Sequence, residues 1–189
     1  MKKIVLCFTG IFFLCTTCRK EHVAPVNQLV KDLFCFKVGS EWTYYDSVSQ
    51  TTQKMVVIKY ETFESAPEPK GGKKAYDFAE LIKMEILIGD SKKRTQLESG
   101  VDQDNTLKGL SWIYTPTGEP LHIHCDENNN FTPSATYLDT YSVNGTTYHS
   151  VYVFGVGGAS YYVSKHNGFI RCEKIGKYDL VLINKNIQQ

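Results

Sequence analysis

The chain has 189 residues, 42% of them hydrophobic, and a formal charge of +1. That length suits one domain with a sizeable core. So even a balance of charge excludes a surface drawn onto nucleic-acid phosphates, and Lys92–Lys93–Arg94, the tightest basic run, reads as a turn or strand end in solvent.

The first element is a leader. Lys2 and Lys3 precede eleven uncharged residues, IVLCFTGIFFL. This is a positive start followed by an apolar run of signal-peptide length. A membrane-spanning helix needs about 20 apolar residues. Here Arg19, Lys20 and Glu21 follow closely, so export is expected rather than a permanent span. Small residues precede a cleavage site. Thr16 and Thr17 lead to Cys18, whereas Phe12, Phe13 and Leu14 before Cys15 are bulky.

FLCTTC resembles the end of a bacterial lipoprotein signal peptide, and CRKEH resembles the start of small outer-membrane lipoproteins of the Bacteroides group. The resemblance covers about the first 21 residues. It implies cleavage after Thr17, lipid on the Cys18 thiol, and a place in the cell envelope at the outer membrane, including its outer face. One acyl chain binds a membrane only reversibly. A lipoprotein carries more than one, which implies stable anchoring. The plainer alternative is a free or structural cysteine after an ordinary cleavage site. On the lipoprotein reading, residues 1–17 are leader, 18–24 a tether, and 25–189 a single β-rich domain.

The mature part of 172 residues keeps all 20 acidic side chains and 19 basic ones. Its cysteines beyond the anchor are Cys35, Cys125 and Cys172, an odd number in an exported chain. One bridge plus one thiol, or three buried thiols, both fit. No Cys-x-x-Cys spacing joins these three, so redox catalysis has no support.

Within the domain, PVNQLVKDLF places Val26, Leu29, Val30 and Leu33 at helical spacing. Proline is tolerated in a first turn, so one short helix over residues 25–34 is expected. The period then changes. EWTYYDS and KMVVIKYE read as strands rich in aromatic and β-branched residues. PEPKGGKK, residues 67–74, reads as a loop. FAELIKMEILI alternates through Phe78, Ile82, Met84, Ile86 and Ile88 and reads as a long strand, with a helix as the alternative. LSWIYT and EPLHIHC form a strand pair through TPTGEP, between polar loops at 99–108 and 126–134.

The last third carries the clearest signals. Asn144–Gly145 lies between two alternating runs, the pattern of a tight hairpin. That register opposes Val143 to Thr146, Tyr141 to Tyr148 and Tyr137 to Tyr152. One face then carries Tyr137, Tyr141, Tyr148 and Tyr152, and the other Leu138, Val151 and Val153. Further hairpins are expected at Asn167–Gly168 and at Gly176–Lys177, the last placing Val163, Ile170, Cys172, Val181 and Ile183 on one face. About ten antiparallel strands in sequence make a sheet large enough to curl. The expected fold is mainly β, a curved antiparallel meander shaped as a half-barrel or lipocalin-like cup with one N-terminal helix. A two-sheet sandwich is the alternative.

Chemistry is thinly signalled. His122 and His124 share a strand face, and Asp126 has the same parity. With His149 as a further ligand they make a metal candidate for a metal-assisted hydrolase. The plainer reading turns Leu121, Ile123 and Cys125 inward and the histidines to water. GVGGASYY lacks the Gly-Lys-Ser/Thr of a phosphate loop. Asp102 and Asp104 start a calcium-loop pattern without its glycine and glutamate. There is no GxSxG. No cofactor is expected, and a non-catalytic binding or structural role is favoured. The four tyrosines are candidates for a ligand face, because each has an apolar ring with a hydroxyl handle. They point to an apolar or amphipathic ligand, or to an envelope protein, as partner.

Overall fold

The computed structural model describes residues 23–65, 78–99 and 108–188. The leader with Cys18, the PEPKGGKK loop and the Asp102–Asp104 loop lie outside these ranges. In chain order the elements begin with β1 (Val23–Ala24), α1 (Gln28–Phe34), β2 (Glu41–Asp46), β3 (Thr51–Ser65), β4 (Phe78–Ile88) and β5 (Ser91–Glu98). Next come β6 (Lys108–Tyr114), β7 (Pro120–Asp126), β8 (Phe131–Thr132) and β9 (Ala135–Val143). The last are β10 (Thr146–Val156), β11 (Ala159–Ser164), β12 (Gly168–Lys174) and β13 (Tyr178–Asn186).

All thirteen strands of the described residues form one sheet, in the order β8-β7-β6-β5-β4-β3-β2-β13-β12-β11-β10-β9, with β1 parallel to β4. Apart from β2·β13, every neighbour along that path is also a neighbour in sequence. The two path ends, β8 and β9, are joined by Pro133 and Ser134 alone. The sheet is therefore nearly closed and barrel-like, the curved antiparallel meander that alternation and turn spacing predict. Long strands with one face buried specify this arrangement: Ala79, Ile82, Met84, Ile86 and Ile88 of β4 all point into the core.

Among the described residues the interior is filled. A closed sheet of about eight strands is just filled by its own side chains. The longer path here encloses more, and α1 with large aromatics occupies the difference. A helix of seven residues has little stability alone, so packing and caps hold it. Asn27 accepts from the backbone N–H of Leu29 (2.8 Å) and Val30 (3.4 Å), as an N-cap does. The helix thus starts at Gln28, and Pro25 precedes it. Leu29, Val30, Leu33 and Phe34 are buried, and the Phe34 ring lies 6.2 Å from Phe154 and 5.8 Å from Phe169.

Three polar contacts seat α1 at one end of the barrel. Lys31 pairs with Glu80 of β4 at 2.7 Å, Asn27 donates to Asp126 O at the end of β7, and His166 N–H donates to Asp32 O at 2.7 Å. At the opposite end Glu119 accepts from the hydroxyls of Tyr178 (2.9 Å) and Tyr161 (3.2 Å), with Thr115 and Pro116 buried beside it. Between these closures the void lined by Phe34, Trp42, Met84, Ile113 and Phe169 measures about 20 Å³. That is room for about one water.

Four sequence expectations are corrected. Val23–Ala24 is a strand rather than tether, and Ser99 donates to Ala24 O at 2.6 Å to hold it. β5 and the two-residue β8 form where no strand was expected. In β5 only Thr95 and Leu97 turn fully inward, so its alternation is faint. The last hairpin turns through three residues, Ile175–Lys177, and pairs Cys172 with Leu180. A one-residue change of register moves every side chain to the other face. Leu180 and Leu182 are therefore in the core, and Ile183 is exposed. The Asn167–Gly168 hairpin likewise turns through residues 165–167, with Gly168 (φ +73°) opening β12.

Candidate functional site

The β9–β10 hairpin has the register its turn dictates: Val143↔Thr146, Tyr141↔Tyr148, Tyr137↔Tyr152. Its two faces do not separate as expected. Tyr148 and Val151, assigned to opposite faces, are both buried, and between them Ser150 sits at φ +51°. That left-handed residue turns the strand. β10 meets β11 only from Val151 onward, so Thr146–Ser150 run past the end of the neighbouring ladder.

The four tyrosines consequently have different surroundings. Tyr141 stacks on Tyr162 with ring centroids 4.7 Å apart, and Arg171 Nη1 donates to its hydroxyl at 2.9 Å. Arg171 also pairs with Asp179 (2.8 Å) and Glu173 (2.6 Å). Tyr152 packs edge-on to Phe131 at 5.6 Å, and Tyr137, half exposed, leans on Tyr152 at 5.2 Å. Tyr148 lies beneath the Lys185 ammonium, 5.2 Å from its ring centre. Of the four, Tyr148 alone lines the open groove beside the hairpin tip.

That groove is the site the geometry singles out. It encloses about 330 Å³ between Thr146–Ser150, the Lys165–Asn167 turn and Lys185 of β13. Ser164 Oγ donates to His149 O (3.0 Å) and Lys165 N–H to Ser150 O (3.4 Å), which fix the turn against the hairpin. Asn167 is held from the other side, where Trp42 Nε1 donates to its carbonyl at 2.7 Å. Lys185 donates to Asn167 Oδ1. Partial burial holds the Lys185 pKa below the ordinary lysine range. Lys165 faces Asp32 at 3.7 Å. Sequence reading did not find Lys165, Asn167 or Lys185, because nothing in their local pattern distinguishes them from other turn and strand-end residues.

The histidine pair lies elsewhere. On β7 Leu121, Ile123 and Cys125 are buried while His122 and His124 are exposed, with His122 beside Trp112 at 6.2 Å. Asp126 instead caps the following turn, accepting from the N–H groups of Asn128 and Asn130. His149 is on β10, at the groove. Among the described residues no group of three or more His, Cys, Asp or Glu is gathered as metal ligands.

Cys35, Cys125 and Cys172 are all free thiols. Burial raises the Cys172 pKa well above the ordinary thiol range, and burial with the Asp126 charge pushes Cys125 up to about 12. Burial also raises Cys35, whose Sγ donates to the Tyr60 hydroxyl at 3.6 Å. Only thiolates react appreciably with alkylating agents. Native protein treated with iodoacetamide at pH 8 should leave all three unmodified, and all three should label in urea. Peptide mapping reads this out. Rapid labelling of Cys125 or Cys172 in the native state would contradict the packing described.

Comparison with protein-family models, with curated proteins and with solved structures gives no match.

Proposed function

We propose that this chain is an exported lipoprotein, held at the outer membrane of a cell envelope through lipid on Cys18. Its β-rich domain acts there as a non-catalytic binding module. The observation that carries the binding half is the interior that the described residues fill: with a void of about 20 Å³ inside and a groove of about 330 Å³ outside, contact is made on the outer surface. Partners that suit it are an amphipathic ligand or another envelope protein. Anchoring rests on Lys2–Lys3, the apolar run and FLCTTC.

The fold gives that anchor a direction. Four residues lie between Cys18 and Val23, five chain steps that reach at most about 17 Å. β1 joins the start of β4, at the end of the barrel plugged by α1. An anchor on Cys18 therefore holds the α1 end close to the membrane. The opposite turns stand roughly one β4 length away, about 35 Å. The second reading, hydrolysis assisted by a metal on His122 and His124, has no observation in its favour.

Intact-mass measurement of protein from its own host tests the anchor. The expected species starts at Cys18 and carries acyl chains. The Cys18→Ser chain should move from the membrane to the soluble exported fraction. An unlipidated chain starting elsewhere ends this reading.

A further inference from the structure

We propose that the groove beneath the β9–β10 hairpin binds a phosphate-type oxyanion, supplied by the headgroup of an anionic lipid. The site stands on the groove's own chemistry, while the headgroup as source rests on the anchoring proposed above.

Charge comes first. The groove is lined by Lys165 and Lys185 with His149 and His166, and no carboxylate is among its lining residues. The whole chain is nearly neutral at +1, so this meeting of two lysine ammoniums is local. Lys165 forms an ion pair with Asp32 at 3.7 Å.

Lys185 is the sharper sign. It is exposed and makes no ion pair among the described residues. Its partners are the Asn167 amide oxygen and the Tyr148 ring. An oxyanion in the groove would give this ammonium a charged partner, a stronger hydrogen bond than the neutral amide supplies. Thr146 and Ser150 add hydroxyls along the same wall.

Backbone strain points to the same place. Ser150 (φ +51°) and His166 (φ +59°) both line the groove in the left-handed region without being glycine. Such residues cost free energy and persist where the surrounding structure over-determines them, and two of the five among the described residues lie here. Position selects the source. The Lys165–Asn167 turn bonds to Asp32 of α1, at the same end of the barrel as β1. With the anchor's reach of about 17 Å, that end meets lipid headgroups.

Isotope-labelled Cys18→Ser chain provides the test. It is titrated with inorganic phosphate, and separately sedimented with phosphatidylglycerol or phosphatidylcholine vesicles. Phosphate should shift resonances of His149, Ser150, Lys165, His166 and Lys185. Phosphatidylglycerol vesicles should carry the chain down, and phosphatidylcholine vesicles should not. Each lysine near an anionic surface contributes about five-fold, so Lys165→Gln with Lys185→Gln should weaken vesicle binding about 25-fold. Lys174→Gln with Lys177→Gln, at the far end, should leave it unchanged.

Phosphate shifts in the groove without vesicle binding would overturn the headgroup as source and uphold the site. No shifts there, or equal loss from both lysine pairs, would overturn the site. The mass of the native N-terminus reports the anchor independently of either result.

Discussion

Trp42→Ala is expected to lower stability by about 3–5 kcal/mol, the range for removing a large buried aromatic. At about 2–4 °C per kcal/mol for a chain of this size, the midpoint of thermal unfolding should fall by roughly 6–20 °C. Trp42 is fully buried on β2, with its ring edge-on to Phe36 at 4.8 Å. Its indole N–H is the donor that holds Asn167 O. Alanine removes both the volume and the donor, and α1 cannot settle into the space without breaking its contacts at Glu80 and Asp126. Trp42→Phe keeps most of the packing and loses the donor. An intermediate loss of about 1–3 kcal/mol is expected, because a half-buried carbonyl is left unpaired. The same change loosens the turn carrying Lys165, so the groove should weaken with the fold. A Trp42→Ala protein within about 1 kcal/mol of the parent would refute the packing account.

Gly168→Ala and Gly157→Ala are expected to separate two costs that glycine avoids. Both residues have positive φ, +73° and +58°. Alanine in that region is strained by about 1–2 kcal/mol, partly offset by a stiffer unfolded chain. At Gly157 a Cβ meets nothing within 4 Å, so the loss should be strain alone. At Gly168 the Cβ lies 3.3 Å from two atoms of the Phe36 ring, which is itself wedged against Trp42. Crowding a packed site adds about 1–3 kcal/mol. Denaturant titration of the two variants should show Gly168→Ala as clearly the less stable. Equal losses would mean that Phe36 yields freely.

Both predictions depend on where hairpins turn, and there local pattern was a good guide only in part. Asn144–Gly145 set the β9–β10 register correctly, since a two-residue turn of that type leaves the pairing no freedom. Gly176–Lys177 suggested the same and misled by one residue. Gly176 takes its positive φ within a three-residue turn, so Leu180 and Leu182 face the core instead of Val181 and Ile183. A glycine announces a turn but does not state its length. β5 stayed hidden because it begins Ser91–Lys92–Lys93–Arg94, and its inward positions are few.

The sequence by itself determined the strand-dominated fold, the short helix and the first hairpin's register. Each of these follows from residues a few positions apart, where side-chain period and turn conformation act directly. Which face of the sheet becomes a site was decided only in three dimensions. Ser150 turns β10 out of line, β13 pairs with β2, and the Lys165–Asn167 turn is pinned to Trp42 and α1. Together they bring Lys165 and Lys185 beside Tyr148 and His149. No local period records such a meeting, because it depends on closing a sheet whose first and last long strands lie more than a hundred residues apart.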